Sequence, residues 1–172
     1  MDLKEYILSV ENFPKNGITF RDISPLLNNS KAFNYAIDKL SQASIHFNFS
    51  HIIGIESRGF ILASALAYEI RKPLIIARKP NKLPPPVITQ KYGLEYGEDS
   101  LEIKTNLGLN HNKILIVDDV LATGGTVIAT KRLIEKIDCY VAGALFLIEL
   151  GAVKGEEQLK KNNIKHSSLI SY

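Results

Sequence analysis

Asp118 and Asp119 stand side by side after the apolar run Ile114 to Val117, and shortly beyond them comes Ala122-Thr123-Gly124-Gly125-Thr126. A continuous apolar run that ends in polar residues reads as a strand buried on both faces of a parallel sheet. Ligands of such sheets gather at the carboxyl ends of the strands. Gly124 and Gly125 let the backbone turn tightly and approach a ligand, so successive N–H groups can point inward where the next helix begins. That is the chemistry of a phosphate cradle. A mere solvated turn would need the acids, the glycines, the strand and the helix to coincide by chance. No G-x-x-x-x-G-K-[ST] occurs anywhere in the chain, and Val120 rules out a D-x-D nucleophile motif.

Two further clusters have the same strand-end placement. His51-Ile52-Ile53-Gly54-Ile55 reads as a buried strand ending in Glu56-Ser57-Arg58-Gly59-Phe60, with an apolar helix over Ile61 to Ile70. Ser57 and Gly59 are small enough for close backbone approach, and Arg58 can bridge pyrophosphate oxygens with two parallel N–H groups. The plainer alternative is a helix cap in which Glu56 is salt-bridged to Arg58. Pro73 to Ala77 is a second short strand, and Arg78, Lys79 and Lys82 follow it. Three cations so close together at a strand end suit a polyphosphate.

The frame for these groups is an alternation of strand and helix patterns. Leu3, Tyr6, Ile7 and Val10 recur at helical spacing, which predicts a short amphipathic helix, broken by Phe13-Pro14-Lys15-Asn16-Gly17. Ile18 to Leu27, read by itself, is an edge strand with a surface Arg21–Asp22 ion pair, a weak interaction. Phe33, Ala36, Ile37, Leu40, Ala43 and Phe47 follow a helical period after the cap Asn29-Ser30. His46 and His51 flank that helix with no second ligand at useful spacing, so they are boundary residues rather than metal ligands. From Val87 to Lys104 the pattern turns to Thr, Tyr and Gly in loose alternation around Tyr92 to Gly97, a two-stranded excursion or mobile flap. Val127, Ile134 and Ile137 mark the helix after the glycines. Tyr140 to Ile148 is another apolar strand, Gly155 to Asn163 a polar helix, and Ser168 to Tyr172 a terminal strand.

With 172 residues, 45% of them hydrophobic and 23% charged, the chain fits one globular α/β domain. The net charge of +3 is too mild to imply nucleic acid. The single cysteine, Cys139, can form no internal disulfide, which fits core packing and a reducing, cytoplasmic compartment. Met1 to Val10 lacks a signal-peptide core, and no stretch reaches the roughly 18 apolar residues of a membrane span.

V-D-D-V-L-A-T-G-G-T resembles the signature with which type I phosphoribosyltransferases hold 5-phosphoribosyl-1-pyrophosphate. The resemblance implies that Asp118 and Asp119 contact the ribose hydroxyls, and that Ala122, Thr123, Gly124, Gly125 and Thr126 wrap the 5′-phosphate. E-S-R-G-F resembles the family's pyrophosphate loop (Ser57, Arg58), and R-K-P-x-K-L-P adds Arg78, Lys79 and Lys82, with Asn81 and Pro85 departing from the common pattern. F-P-x-x-G-I-x-F-R-D-I-S-P-L-L resembles the base-binding hood of the adenine-specific members. There Thr19, Phe20 and Arg21 inherit recognition of adenine, Arg21 and its neighbours through the backbone, with Leu150 as an apolar contact on the purine's second face.

L-E-Y-G followed by D-x-L-E-I matches the same group's flap. It makes Glu95 the candidate for proton relay or positioning at the purine imidazole edge, with Tyr96 beside it closing the site and Arg58 neutralising the leaving group. The resemblance covers nearly the whole chain. It implies a central, mostly parallel sheet flanked by helices in a single domain, with a hood over about 1–30 and a flap over about 80–105. It implies Mg²⁺ held mainly by phosphoribosyl pyrophosphate near Asp118 and Asp119, adenine and phosphoribosyl pyrophosphate as substrates, AMP as product, and a homodimer. A non-catalytic ligand sensor on the same fold would have lost the flap and the cation loop or gained a DNA-binding module. An enzyme for 6-oxopurines would place a lysine in a different hood.

Overall fold

The computed structural model describes residues 1–94 and 97–172. The chain opens with a single 3-10 turn, Leu3–Tyr6, where the spacing predicts an amphipathic helix. Leu3 and Ile7 are buried as the spacing requires. Asp2 caps the turn and the Ile7 N–H closes back onto the Lys4 carbonyl, so the chain leaves after one turn as strand β1 (Leu8–Glu11). β1 pairs antiparallel with β2 (Thr19–Asp22), setting Ser9 opposite Arg21 and Val10 opposite Phe20. The Asp22 carboxylate then accepts hydrogen bonds from the Ser24 N–H at 2.9 Å and hydroxyl at 2.6 Å, turning the chain into a one-turn helix, α1 (Ser24–Leu27). Arg21 and Asp22 therefore lie in a strand, but not as a mutual ion pair. Helix α2 (Ser30–Ser44) starts where its cap predicts, with the Asn29 side chain accepting from the Ala32 N–H at 3.0 Å.

The central sheet contains β3 (His51–Ile55), β4 (Leu74–Ala77), β7 (Lys113–Leu121), β8 (Tyr140–Glu149) and β9 (His166–Ser171), all parallel, in the order β4-β3-β7-β8-β9. Alternate residues feed two cores. Ile53, Ile55, Ile114, Ile116 and Phe146 pack with α4 (Gly125–Lys136) on one face; Ile52, Leu115, Val117, Leu145 and Leu147 pack with α2 and α3 (Arg58–Glu69) on the other. Burial on both faces is why these strands read as unbroken apolar runs, and each fully buried Leu or Ile contributes about 1.5–3 kcal/mol. Gly54 permits α3 to pack closely on β3, since a Cβ there would meet that of Ala63 at 2.7 Å.

From β3 the chain steps outward to β4, then returns to the opposite side of β3 as β7 and continues to β8 and β9. The winding reverses between β3 and β7, and in open parallel sheets that is where a crevice opens at the strand ends. Between β4 and β7 runs the antiparallel hairpin β5 (Val87–Leu94) and β6 (Gly97–Lys104), with Tyr92 opposite Asp99. The hairpin is anchored: Tyr92, Leu101 and Ile103 are buried in the α4 core, and Glu102 exchanges two backbone hydrogen bonds with Arg78. A short helix, α5 (Gly155–Lys161), precedes β9. Cys139 is buried, as expected of core packing. Among the described residues no helix is long and apolar enough to cross a membrane.

Candidate active site

Both acids lie inside β7, which extends past the apolar run to Leu121. Asp118 Oδ1 accepts from the Asp119 N–H at 2.9 Å, and Gly59 sits so close that a Cβ there would come within 2.6 Å of the same oxygen. The first turn of α3 thus presses against the end of β7, which only glycine allows. Asp119 is buried, and its Oδ2 lies 2.7 Å from Arg58 Nη2. That oxygen nevertheless has no hydrogen bond of acceptable angle. Burial and repulsion from Asp119 push Asp118 well above the usual carboxylate range. Burial also raises Asp119, against the pull of Arg58.

Beyond Leu121 the chain turns through Ala122 and Thr123 to Gly124, whose φ of +82° is the left-handed conformation that glycine adopts without strain. Gly125 opens α4. The first turn of α4 carries no acid, and neither does the first turn of α3, which starts at Arg58 behind the exposed Ser57. Two helix N-termini therefore face the crevice with no acid of their own in the first turn, and only that of α3 has the β7 acids beside it. The glycine turn is backed by α5, where a Cβ on Gly155 would strike the Ala122 carbonyl at 2.1 Å. Nothing along the chain signals that contact beyond the glycine itself.

The cations are brought together, with partners the motifs did not name. Glu56 pairs with Arg78 rather than Arg58, its two oxygens 3.2 and 3.4 Å from the guanidinium, and it accepts the Lys79 N–H at 2.8 Å. Burial alone would raise Glu56, but these donors outweigh it and hold the carboxyl below its ordinary value. Lys79 Nζ pairs with Asp99 on β6 and lies 3.2 Å from the Tyr92 hydroxyl on β5. Lys82 is exposed, and its carbonyl accepts from Arg78 at 3.1 Å. Asn81 has φ +63°, which explains why a residue tolerant of left-handed backbone stands where glycine is common. The buried carboxylate of Glu102 fixes this loop by accepting from the Asn81 N–H at 3.0 Å and the Thr89 hydroxyl at 3.2 Å. Asp99 and Glu102 were visible only as letters of a flap motif; their roles need the hairpin folded against the loop.

The hood meets the crevice through Arg58. Its Nη1 donates to the Arg21 carbonyl at 3.1 Å, and its guanidinium lies over the Phe20 ring, 4.6 Å from the centroid. Phe13 meets Phe20 edge to face, with centroids 5.3 Å apart. Thr19 is exposed at the start of β2, and Leu150 is half-buried just past β8, its N–H bonded to the Leu121 carbonyl. Glu95 and Tyr96 lie outside the described residues.

Among the described residues no group of three or more His, Cys, Asp or Glu side chains could hold a metal ion. Asp118 and Asp119 offer two carboxylates, one of them ion-paired with Arg58. An octahedral Mg²⁺ beside them would need its remaining ligands from substrate oxygens and water, which is the usual habit of that ion.

Residues 24–169 match the model of the phosphoribosyl transferase domain family. The chain is 51% identical to the adenine phosphoribosyltransferase of Polynucleobacter asymbioticus over 99% of both sequences, and 47% identical to that of Thermosipho melanesiensis over 100% of this chain and 97% of the relative. Among solved structures it resembles adenine phosphoribosyltransferase from Thermoanaerobacter pseudethanolicus with a TM-score of 0.95 at 40% identity, covering 99% of this chain and 98% of the other. The Saccharomyces cerevisiae enzyme, solved with an imino-altritol bisphosphate and adenine, is matched with a TM-score of 0.89 at 33% identity, over 97% and 96% of the two chains.

Proposed function

The chain belongs to the phosphoribosyl transferase family, among its adenine phosphoribosyltransferases, and from that premise we propose that its crevice transfers the 5-phosphoribosyl group of phosphoribosyl pyrophosphate to adenine. The products are AMP and pyrophosphate. The observation that carries the reading is the meeting of two acid-free helix N-termini and a cation loop at the β3/β7 reversal, with Arg58 joining them to the hood.

A ring nitrogen of adenine forms the new bond to the anomeric carbon as the bond from that carbon to the pyrophosphate oxygen breaks. The electron pair leaves with pyrophosphate, and the ring N–H proton passes to a base. Catalysis of this kind rests on alignment and charge stabilisation rather than on a protein nucleophile. The turn Ala122 to Thr126 wraps the 5′-phosphate, Asp118 and Asp119 take the ribose hydroxyls, and Ser57, Arg58, Arg78, Lys79 and Lys82 receive the pyrophosphate. The placement of both acids at the carboxyl end of β7, beside the winding reversal, supports the ribose assignment. Asp118 and Asp119 would stand beside a Mg²⁺ held mainly by the substrate, which would supply further charge neutralisation on the leaving group. Thr19, Phe20 and Arg21 read the adenine edge with Leu150 on the far face, while Glu95 receives or positions the proton and Tyr96 helps exclude water. We further infer one domain with a hood over about 1–30 and a flap over about 80–105, acting as a homodimer in the cytoplasm; the lone, unpaired Cys139 supports the reducing compartment.

The test is an assay of purified protein with Mg²⁺, phosphoribosyl pyrophosphate and each common nucleobase. Adenine should be converted, with hypoxanthine and guanine disfavoured by roughly 10²-fold or more in kcat/KM, because a 6-oxopurine reverses the donor and acceptor edge and leaves buried polar groups unpaired. Comparable use of adenine and hypoxanthine refutes the base assignment, and binding without turnover of any base refutes the enzyme.

A further inference from the structure

We propose that Tyr172 is a positioning residue for the base, holding the two walls of the adenine pocket in register. The inference rests on the reading above that Thr19 to Arg21 and Leu150 are those walls. They come from opposite ends of the sequence, and no hydrogen bond within β2 or β8 ties one to the other.

Tyr172 touches both. Its ring lies against the guanidinium of Arg21, with Cζ 3.8 Å from the ring centroid, while Lys4 Nζ stands 5.1 Å from the same centroid. Its backbone brackets Leu150: the Tyr172 N–H donates to the Glu149 carbonyl at 2.9 Å, and the Gly151 N–H donates to the Tyr172 carbonyl at 2.9 Å. Arg21 has little else to fix its side chain. One terminal nitrogen reaches the Ser9 hydroxyl across the β1–β2 pair, and the buried Nε has no partner. A planar cation stacked on an aromatic face is held in orientation as well as in place.

The Arg21 side chain therefore points away from the crevice and is clamped from behind. Its carbonyl already accepts from Arg58 on the crevice side. Recognition through backbone groups has no side chain to adjust, so it depends on how firmly the strand is held, and a shift of a fraction of an ångström weakens it. Tyr172 supplies that restraint for the hood and, through Glu149 and Gly151, for Leu150.

Steady-state kinetics of Tyr172→Leu and Tyr172→Phe test the proposal. Tyr172→Leu should raise the KM for adenine by about tenfold, within the range of a partly desolvated cation–π contact. The KM for phosphoribosyl pyrophosphate and kcat should stay near the parent values. Tyr172→Phe keeps the ring and both backbone bonds and should behave as the parent does. Arg21→Met reaches the same contact from the hood side, so it decides the matter if the Leu variant folds poorly. It should reproduce the adenine defect, and in the double variant the two effects should not multiply. A parental adenine KM in both Tyr172→Leu and Arg21→Met, equal loss of both substrates, or a Phe variant as impaired as Leu would overturn the proposal. Failure of the adenine reading itself is distinguishable, because the parent protein would then not turn adenine over.

Discussion

The turn after β7 and the loops after β3 and β4 are both proposed to receive negative charge, but they are built from different atoms. After β7 the donors are backbone N–H groups, shaped by Gly124 at φ +82° and braced by α5, with no charged side chain in the turn. After β3 and β4 the donors are guanidinium and ammonium groups, and three of them already face a carboxylate: Arg58 with Asp119, Arg78 with Glu56, Lys79 with Asp99. A backbone cradle brings no charge that must be offset, so it can be rigid and complete in itself. Clustered cations repel one another, and here the acids hold them in place at the cost of competing with the ligand. The first region should thus be sensitive to shape, the second to charge.

Gly124→Val should break the comparison most severely. A β-branched residue at that φ costs about 1–3 kcal/mol in strain and displaces charge-assisted N–H donors worth about 1.5–3 kcal/mol each, so affinity for ribose 5-phosphate should fall by roughly 10²-fold or more. Calorimetry on the folded variant decides it; near-parental affinity would mean that the turn does not receive the phosphate.

On the charge side, Lys79→Met should weaken pyrophosphate by only about tenfold, the low end for a charged hydrogen bond, since two neighbouring cations remain. Asp99→Asn should tighten pyrophosphate by about threefold, because an acid that competes for Lys79 has been removed. Inhibition by pyrophosphate measures both. Weaker binding in Asp99→Asn would show that Asp99 positions the lysine rather than competing for it.

The acidic pair sharpens the contrast by opposing function to stability. The carboxyl of Asp118 is raised above its ordinary value, so its contribution to stability is present at low pH and is lost as pH rises through the folded value. Above that value the ionised pair is a burden. Asp118→Asn should raise Tm by about 2–4 °C at pH 7, the shift for roughly 1 kcal/mol in a chain of this size, while weakening sugar-phosphate binding. The gain should vanish in acid. A lower Tm at pH 7 would show that the carboxylate is structurally satisfied.

The smallest expected effect is that of Glu56→Gln. Its folded value is depressed below 4.5, so its stabilisation is present above that pH and lost as pH falls through the depressed value. The variant should be slightly less stable than the parent at neutral pH and indistinguishable from it in strong acid, as thermal melts across pH can test.

The same contrast explains what the sequence could convey. The cradle was legible because it is local: a strand, two glycines and a helix follow one another along the chain, and their order is their geometry. Arg58, Arg78 and Lys79 were legible as cations at strand ends, but their partners were not. The plainer alternative to a pyrophosphate loop paired Glu56 with Arg58, two residues away, whereas Glu56 faces Arg78 across the β3–β4 pair. Asp119, Asp99 and Glu102 reach their partners only after the sheet and hairpin have folded. At the N-terminus Leu3 and Ile7 are buried as their spacing demands, yet the Asp2 cap closes a single turn and pairing with β2 takes the rest as strand.

The reversal of winding between β3 and β7 also has a kinetic side. These strands set Ile53 beside Ile116 and Gly54 beside Val117, so the crevice exists only after α3, β4 and the whole hairpin have been looped out between them. Closing so long a loop costs chain entropy before any contact repays it, which makes parallel pairings of this kind slow to form. A nascent chain that stops short of β7 would already carry Arg58 and all three cations of the following loop, yet Arg58 would lack Asp119 across the gap. Whatever spans that gap binds only the finished fold, and by mass action draws the folding equilibrium toward it.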